Sequence, residues 1–135
     1  MKLGVALSIL FLMARVASAE ELQRKNAAQV TLRGQVVCSM CWTEADRTKV
    51  AYGTKDDLAC AKRCDAKRVP AALAVTENGV TELYVLEAGK LPRKGPGWLD
   101  VIATEVEVTG SVTRGKGLPH LTVDALRSVP KRHPN

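Results

Sequence analysis

The chain reads CSMC at residues 38–41 and CAKRC at residues 60–64, and these two stretches hold all four of its cysteines. Two close pairs separated by a helix-length segment can converge on one point in space. There the thiolates of Cys38, Cys41, Cys60 and Cys64 could complete a tetrahedral metal site. In an oxidising compartment the same thiols would instead form two disulfide bonds. We therefore expect this cysteine segment to fix the middle of a small domain.

A helix is predicted between Thr54 and Pro70. Thr54 is a favourable N-cap, and Asp57, three residues later, suits both a capping box and the positive end of the helix dipole. Pro70 marks the end of the helix. Because Cys60 and Cys64 are four residues apart, they should lie on one face of it, one turn from each other.

Residues 30–38 alternate between two faces, which predicts a half-buried strand. Cys38 is its last inward position, and Val37 falls on the outward face. Gly34, in the middle of the strand and on its inward side, indicates a bend of the kind that a small closed barrel needs. Residues 41–53 show no regular pattern and predict an irregular segment.

Residues 71–87 predict a β-hairpin, because Asn78-Gly79 is a favoured two-residue turn. With this turn, one face of the hairpin carries Leu73, Val75, Val80, Tyr84 and Leu86. A loop is expected over residues 89–97, followed by a short turn of helix within residues 98–103. Two more strands are predicted at residues 105–113, with Gly110 facing inward, and at residues 118–129, with Leu121, Val123 and Ala125 on one face.

This order of elements predicts a mostly β fold. Five closely spaced strands with mid-strand glycines favour a small OB-like Greek-key barrel, with one helix inserted after the first strand, as a single domain over residues 30–129. The alternative is an open α+β sandwich with the helix on one face.

The two ends of the chain carry different signals. Residues 1–19 resemble a secretory signal peptide, with an apolar run too short to span a bilayer and then Ala17-Ser18-Ala19. We expect cleavage after Ala19, a periplasmic or secreted location and no membrane anchor afterwards; an uncleaved anchor is the alternative. Residues 20–29 read as a linker and residues 130–135 as a disordered tail. Cleavage would lower the formal net charge of +6 by two, to a mildly basic value that is no nucleic-acid footprint.

Several of these features resemble a set of uncharacterised exported bacterial proteins with an OB-like fold and a cysteine-bearing insertion after the first strand. The resemblance covers most of the chain after the signal. It lies in VTLRGQVVC at residues 30–38, CAKRC at residues 60–64, Pro70 with the hairpin after it, and the closing strands around residues 106–112 and 121–123. It implies a fold and an exported location, but no reaction.

The chain departs from those relatives at two positions. They would have a histidine three residues before the first helical cysteine, where this chain has Asp57, and a glycine two residues before the proline, where it has Arg68. The first change removes a nitrogen ligand and so weighs against a metal role.

Three functions fit the cysteines. The leading one is an exported, non-enzymatic binding or scaffold domain without a cofactor, whose four cysteines form disulfides; crossed pairs would join Cys38 or Cys41 to the helix. The second is a thiolate metal-binding module for zinc or copper that uses all four cysteines. The third is a thiol redox protein using Cys38 and Cys41, which a missing thioredoxin-like pattern disfavours.

Other classes are disfavoured by particular residues. Trp42 follows Cys41 where haem attachment needs a histidine. Nucleic-acid binding, the fold-level analogy for OB barrels, would need stacking aromatics, and those of this chain are few and scattered. His120 and His133 read as surface histidines. No glycine-flanked serine or paired-histidine motif is present, so we expect no enzyme. The sequence names no partner.

Overall fold

The computed structural model describes residue 27, residues 29–89 and residues 97–130. The predicted signal peptide, most of the predicted linker, the greater part of the loop predicted over residues 89–97 and the tail after Pro130 lie outside the described residues. Within the part of the chain that is described, no helix is long and apolar enough to cross a membrane.

The described residues form five strands and three helices. The strands are β1 (Gln29–Cys38), β2 (Ala71–Glu77), β3 (Val80–Glu87), β4 (Glu105–Thr113) and β5 (His120–Ser128). The helices are α1 (Ser39–Thr43), α2 (Lys55–Ala66) and α3 (Trp98–Val101). We call residues 39–70, which connect β1 to β2, the insertion. Helix α1 corrects the prediction that residues 41–53 are irregular from their start.

The five strands close in a ring, in the order β1-β2-β3-β5-β4. Strand β1 makes the closure, because its first half pairs with β4 and its second half with β2, with Gln35 opposite both Glu105 and Ala74. The β3–β5 pair is parallel and the other pairs are antiparallel. The predicted mostly β, five-stranded fold with a helix after the first strand is thus confirmed, and the open sandwich is not what the chain forms.

Gly34 and Gly110 allow the strands of the ring to approach each other closely. A Cβ atom on Gly34 would lie 2.3 Å from the carbonyl oxygen of Ala74, and one on Gly110 would lie 2.1 Å from that of Thr122. Real Cβ atoms do not come this close to backbone atoms, so only glycine fits either position. These two glycines, which were predicted on inward faces, are therefore sites of close strand approach.

The hairpin has the predicted turn. Asn78 and Gly79 both have positive φ, at 52° and 80°, as this turn requires. Leu73 then faces Tyr84 across the two strands. Val80 lies on the same face but is 71% exposed, because it sits beside the turn and beyond the packed part of the ring.

Strand β5 contains an irregularity that the alternation did not reveal. Thr109 pairs with Ala125, but the next residue, Gly110, pairs with Val123, so Asp124 is an extra residue in β5. A bulge of one residue reverses which side chains face inward beyond it. The prediction that Ala125 shares a face with Leu121 and Val123 is therefore wrong: those two are buried, Ala125 is exposed, and Leu126 packs against the core instead.

Two hydrophobic clusters stabilise the domain. The inner core fills the ring and takes buried residues from all five strands, among them Val36, Leu73, Leu86, Val106 and Leu121. The outer core lies between the ring and the insertion, and its buried members are Val37, Cys38, Cys41, Tyr52, Ala61, Cys64, Ala72, Ala74 and Leu83.

The outer core corrects two predictions for β1. Val37 was expected on an outward, half-buried face, yet it is fully buried, because the insertion covers this part of the ring. Cys38 was predicted to be the last inward residue of β1, with its thiol at the core or its rim. It belongs to the outer core instead, because the strand ends there and Cys38 becomes the N-cap of α1.

Candidate functional site: the cysteine cluster and the adjoining groove

The first cysteine pair is positioned by the junction of β1 and α1. Cys38 has extended backbone angles, and its sulfur accepts a hydrogen bond from the backbone N–H of Cys41 at 3.5 Å. Cys41 is one turn into the short helix and only 2% exposed. Both sulfurs are therefore held at the boundary between the ring and the insertion.

The second pair is positioned by α2, which begins as predicted. The Thr54 hydroxyl accepts from the N–H of Asp57, and the Asp57 carboxylate accepts in return from the N–H of Thr54, which completes the capping box. Cys64 is buried on this helix, one turn after the partly exposed Cys60. The capping box thus fixes where α2 begins. On this helix the sulfurs of Cys60 and Cys64 both face Cys41.

The two pairs meet, and one disulfide bond joins them. Cys41 and Cys60 are bonded, with an S–S distance of 2.13 Å and a Cα–Cα distance of 6.5 Å. This is one of the crossed connections expected between the strand end and the helix. A second disulfide is not formed: Cys38 and Cys64 are buried free thiols.

The free thiols lie beside the disulfide. Cys64 Sγ is 3.7 Å from Cys41 Sγ, and the sulfurs of Cys38, Cys41 and Cys64 all lie within 4.8 Å of one another. A second group of possible ligand atoms within the same limit consists of Cys41, Cys60 and Glu44. All four predicted cysteines therefore take part in one cluster, in which Cys41 is common to two groups.

The surroundings of Cys64 favour its neutral form. Burial raises the pKa of the Cys64 thiol, and the neighbouring Cys38 raises it further, while the positive charge of Lys67 acts in the opposite direction. At neutral pH Cys64 is therefore a protonated thiol and a weak nucleophile. This is the state expected of a structural thiol, or of a ligand that loses its proton only when a cation arrives.

Arg47 connects the two helices of the insertion, and no local sequence pattern points to this role. Its guanidinium donates to the backbone oxygens of Cys41, at 2.7 Å, and Trp42, at 3.0 Å. It also binds the carboxylate of Asp57 at 2.9 Å, with both side chains only about a tenth exposed. The guanidinium carbon lies 5.0 Å from the ring centre of Tyr52, close enough for a cation–π contact.

Asp57 lies buried in the first turn of α2. Burial alone would raise the pKa of Asp57, but hydrogen bonds from Arg47, Gly53 and Thr54 outweigh it and hold that pKa at about 2. The carboxylate is thus ionised and its oxygens are engaged by these donors. The ion pair between Asp57 and Arg47 thus links α2 to the segment that follows α1.

Tyr52 and Ser39 attach the insertion to the ends of the strands. The Tyr52 hydroxyl accepts from the backbone N–H of Cys38 at 3.0 Å, and Ser39 donates to the backbone oxygen of Pro70 at 2.9 Å. Burial raises the pKa of Tyr52, so this hydroxyl stays neutral. The ring of Tyr52 also packs against that of Trp42, with their centres 5.8 Å apart.

An open groove of about 530 Å³ runs beside this attachment. The insertion contributes Trp42, Tyr52 and Gly53 to its lining, the ring contributes Arg33, Gly34, Gln35, Ala74, Thr76 and Glu105, and the connection between α3 and β4 contributes Ala103. Gln35 donates to the backbone oxygens of Tyr52 and Ala103, and Arg33 pairs with Glu105 at 2.6 Å. The lining of the groove is therefore aromatic and polar, and its charged residues, Arg33 and Glu105, are paired with each other.

The predicted surface histidine His120 is exposed and lies 2.7 Å from Glu87, apart from the cysteine cluster. His133 lies outside the described residues. Comparisons of the chain with protein-family models, with curated proteins and with solved structures found no match.

Proposed function

We propose that this chain is an exported, non-enzymatic binding domain, an OB-type barrel whose cysteines fix the insertion beside a ligand groove. The observation that carries the proposal is the Cys41–Cys60 disulfide, which ties α1 to α2 directly beside the groove. The disulfide constrains the insertion, which forms one wall of the groove, and a wall that is already ordered loses less conformational entropy when a ligand binds, which raises affinity.

The order of the strands supports the OB assignment. The ring has five strands, the number found in an OB barrel. Its spatial order is β1-β2-β3-β5-β4, so β4 and β5 exchange places relative to the chain order and β3 pairs with β5 in parallel, as in a Greek-key arrangement. OB barrels bind their ligands on strands 2 and 3 and on the loop between strands 1 and 2. In this chain that loop is the insertion, and the groove lies between it and the sheet. This part of the proposal rests on analogy between folds.

The lining of the groove favours an uncharged ligand that stacks on aromatic rings. Arg33 is paired with Glu105, and Gln35 is engaged by backbone oxygens, so the groove offers few free charges. Trp42 and Tyr52 offer aromatic surface instead. Neutral oligosaccharides combine flat apolar faces with hydroxyl groups and match this chemistry better than an acidic polymer.

Fluorescence of Trp42 tests the binding function. The chain has two tryptophans, so Trp98→Phe leaves Trp42 as the only reporter. We expect neutral oligosaccharides to change its emission in a saturable way. Thr76→Arg should weaken this response because Thr76 lines the groove, whereas Thr81→Arg, at the cross-strand partner outside the lining, should not. A panel of oligosaccharides and peptides without any saturable response would contradict the proposal.

In an oxidising compartment we propose that Cys38 and Cys64 form the second disulfide. Their sulfurs already lie within 4.8 Å of each other, and both are buried. Closing such a link stabilises a small exported domain by about 2–4 kcal/mol. Thiol titration of protein taken from its natural compartment should find no free thiol, and peptide mapping should find Cys41–Cys60 and Cys38–Cys64. Four thiols with stoichiometric metal in fresh protein would contradict this.

Export itself is proposed from the sequence of residues 1–19. Intact-mass measurement of the exported protein should give Glu20 as its first residue. Membrane-bound protein that retains Met1 would instead support the anchor alternative.

A further inference from the structure

Cys41 has two different sets of sulfur neighbours. It is bonded to Cys60, and at the same time its sulfur lies within 4.8 Å of those of Cys38 and Cys64. Cys60 does not belong to that second group. If the disulfide is reduced, Cys41 therefore becomes the third free thiol of a buried trio drawn from β1, α1 and α2.

The spacing of this trio matches a three-coordinate site for a soft cation. Metal–sulfur bonds of about 2.3 Å place the three sulfurs of a trigonal site about 4 Å apart. The separation between Cys41 Sγ and Cys64 Sγ is 3.7 Å, and none in the trio exceeds 4.8 Å. Small side-chain rotations would therefore bring all three sulfurs to bonding distance. A cavity of about 10 Å³ next to Cys38 and Cys64 leaves room for such rotations.

We propose that the reduced protein binds one copper(I) ion through Cys38, Cys41 and Cys64, and that the Cys41–Cys60 disulfide closes this site by withdrawing Cys41. Soft thiolates select copper(I), which needs fewer ligands than zinc. Zinc in structural sites is almost always four-coordinate. Cys60 would be the fourth sulfur, but it lies outside the trio, on the partly exposed side of α2.

Opening of the site requires a reductant, which we take to be a dithiol. The dithiol supplies two electrons and two protons; the Cys41–Cys60 bond breaks, both cysteines become thiols, and the dithiol becomes a disulfide. In protein that also carries the proposed Cys38–Cys64 disulfide, a second dithiol reduces that bond in the same way. Copper(I) then replaces the protons of three thiols, which pass to solvent, and no electron moves in this step. The positive charge of Lys67 near Cys64 offsets part of the negative charge of the resulting thiolates.

Two variants that remove the same disulfide have opposite expected outcomes. Cys60→Ser keeps all three proposed ligands, whereas Cys41→Ser keeps only two. The experiment reduces each protein, removes the reductant under argon and titrates with copper(I) held by a chromophoric chelator. We expect wild type and Cys60→Ser each to take one equivalent from the chelator, and Cys41→Ser and unreduced wild type to take none. Near-ultraviolet circular dichroism checks that each variant is folded.

Alkylation of the wild-type protein tests the same site without any substitution. In the reduced, copper-loaded protein, iodoacetamide should modify Cys60 alone, since the other three thiols are bound.

Protection of all four thiols would overturn the three-ligand site, as would equal copper uptake by the Cys41 and Cys60 variants. Copper uptake by unreduced wild type would overturn the role of the disulfide. Tight zinc binding that is lost in Cys60→Ser would replace the proposal with a four-thiolate zinc site. None of these outcomes bears on the groove, so the binding function stands or falls separately.

Discussion

The sulfur of Cys64 lies 3.7 Å from the sulfur of Cys41, so Cys41 has a second potential disulfide partner one helical turn from Cys60. We predict that the double variant Cys38→Ser/Cys60→Ser, treated with a mild oxidant, forms a Cys41–Cys64 disulfide, because that thiol is already adjacent and its partner in the proposed second disulfide is absent. Peptide mapping after alkylation would identify the bond. Recovery of Cys41 as a free thiol after oxidation would show that α2 cannot supply Cys64 to it. Cys64→Ser, which should keep the Cys41–Cys60 bond, is the control.

The Arg47–Asp57 pair is predicted to be a major stabilising contact of the insertion. Arg47→Met would remove the donor to Oδ1 of Asp57 and to the backbone oxygens of Cys41 and Trp42, and the Asp57 carboxylate would lose its cationic partner. Breaking a buried ion pair from one side costs about 3–5 kcal/mol in unfolding free energy. Urea denaturation measures this loss.

An exposed pair provides the matched control for Arg47. Arg127 pairs with Glu107 but is 74% exposed. Arg127→Met should therefore change the unfolding free energy by less than about 1 kcal/mol. Equal losses for the two substitutions would mean that Arg47 does not hold the insertion together.

The lowered pKa of Asp57 predicts how the free energy of unfolding depends on pH. Its pKa is about 2 in the folded protein and 3.8 as the ordinary value, so the folded state favours the ionised form. This contribution is complete above about pH 4 and is lost as the pH falls through about 2. The shift corresponds to about 2 kcal/mol of unfolding free energy.

Asp57→Asn isolates this contribution. The variant should be less stable than wild type at neutral pH, and the difference should shrink as the pH falls from about 4 to about 2. Urea midpoints across this range measure it. Glu82 titrates in the same range, since Arg114 and Tyr84 lower its pKa to about 2, so Glu82→Gln is a necessary comparison. A difference between wild type and Asp57→Asn that stays constant with pH would contradict the assignment.

The parts of the fold that sequence could predict depend on local patterns. Alternation locates the strands, Asn78-Gly79 specifies the hairpin turn, and Thr54 with Asp57 specifies the start of α2. A glycine in the middle of a strand commonly marks a bend or the close approach of another backbone, and Gly34 and Gly110 do so here. Each of these signals involves residues near one another in the chain.

The parts that sequence could not predict depend on contacts between distant segments. The burial of Val37 follows from the insertion folding over the ring, and no local pattern reports that. The bulge at Asp124 is a single residue within an otherwise regular strand. Four cysteines allow three connectivities, so the Cys41–Cys60 pairing required the relative position of α1 and α2. Arg47 looked like any solvated basic residue, because its partners come together only in the fold.

Gly110→Ala should destabilise the ring. The added Cβ would meet the carbonyl oxygen of Thr122 at 2.1 Å, so β4 and β5 would have to separate locally. Forced overpacking of this kind costs about 1–3 kcal/mol. Gly115→Ala, where the added atom meets nothing within 4 Å, should be neutral. Thermal melting compares the two, and a Gly110 variant that melts with wild type would show that the strands are not in close contact there.

Arg68→Gly should stabilise the protein. Arg68 has a φ of 60°, in the left-handed region that favours glycine, and it follows the end of α2, where glycine commonly terminates a helix. A non-glycine residue there costs about 1 kcal/mol, and the exposed side chain of Arg68 leaves little packing to lose. Lys67→Gly, at a φ of −93°, is the control and should not stabilise. Urea denaturation of both variants should show a gain for Arg68→Gly alone, and equal changes would mean that the backbone at Arg68 is not strained.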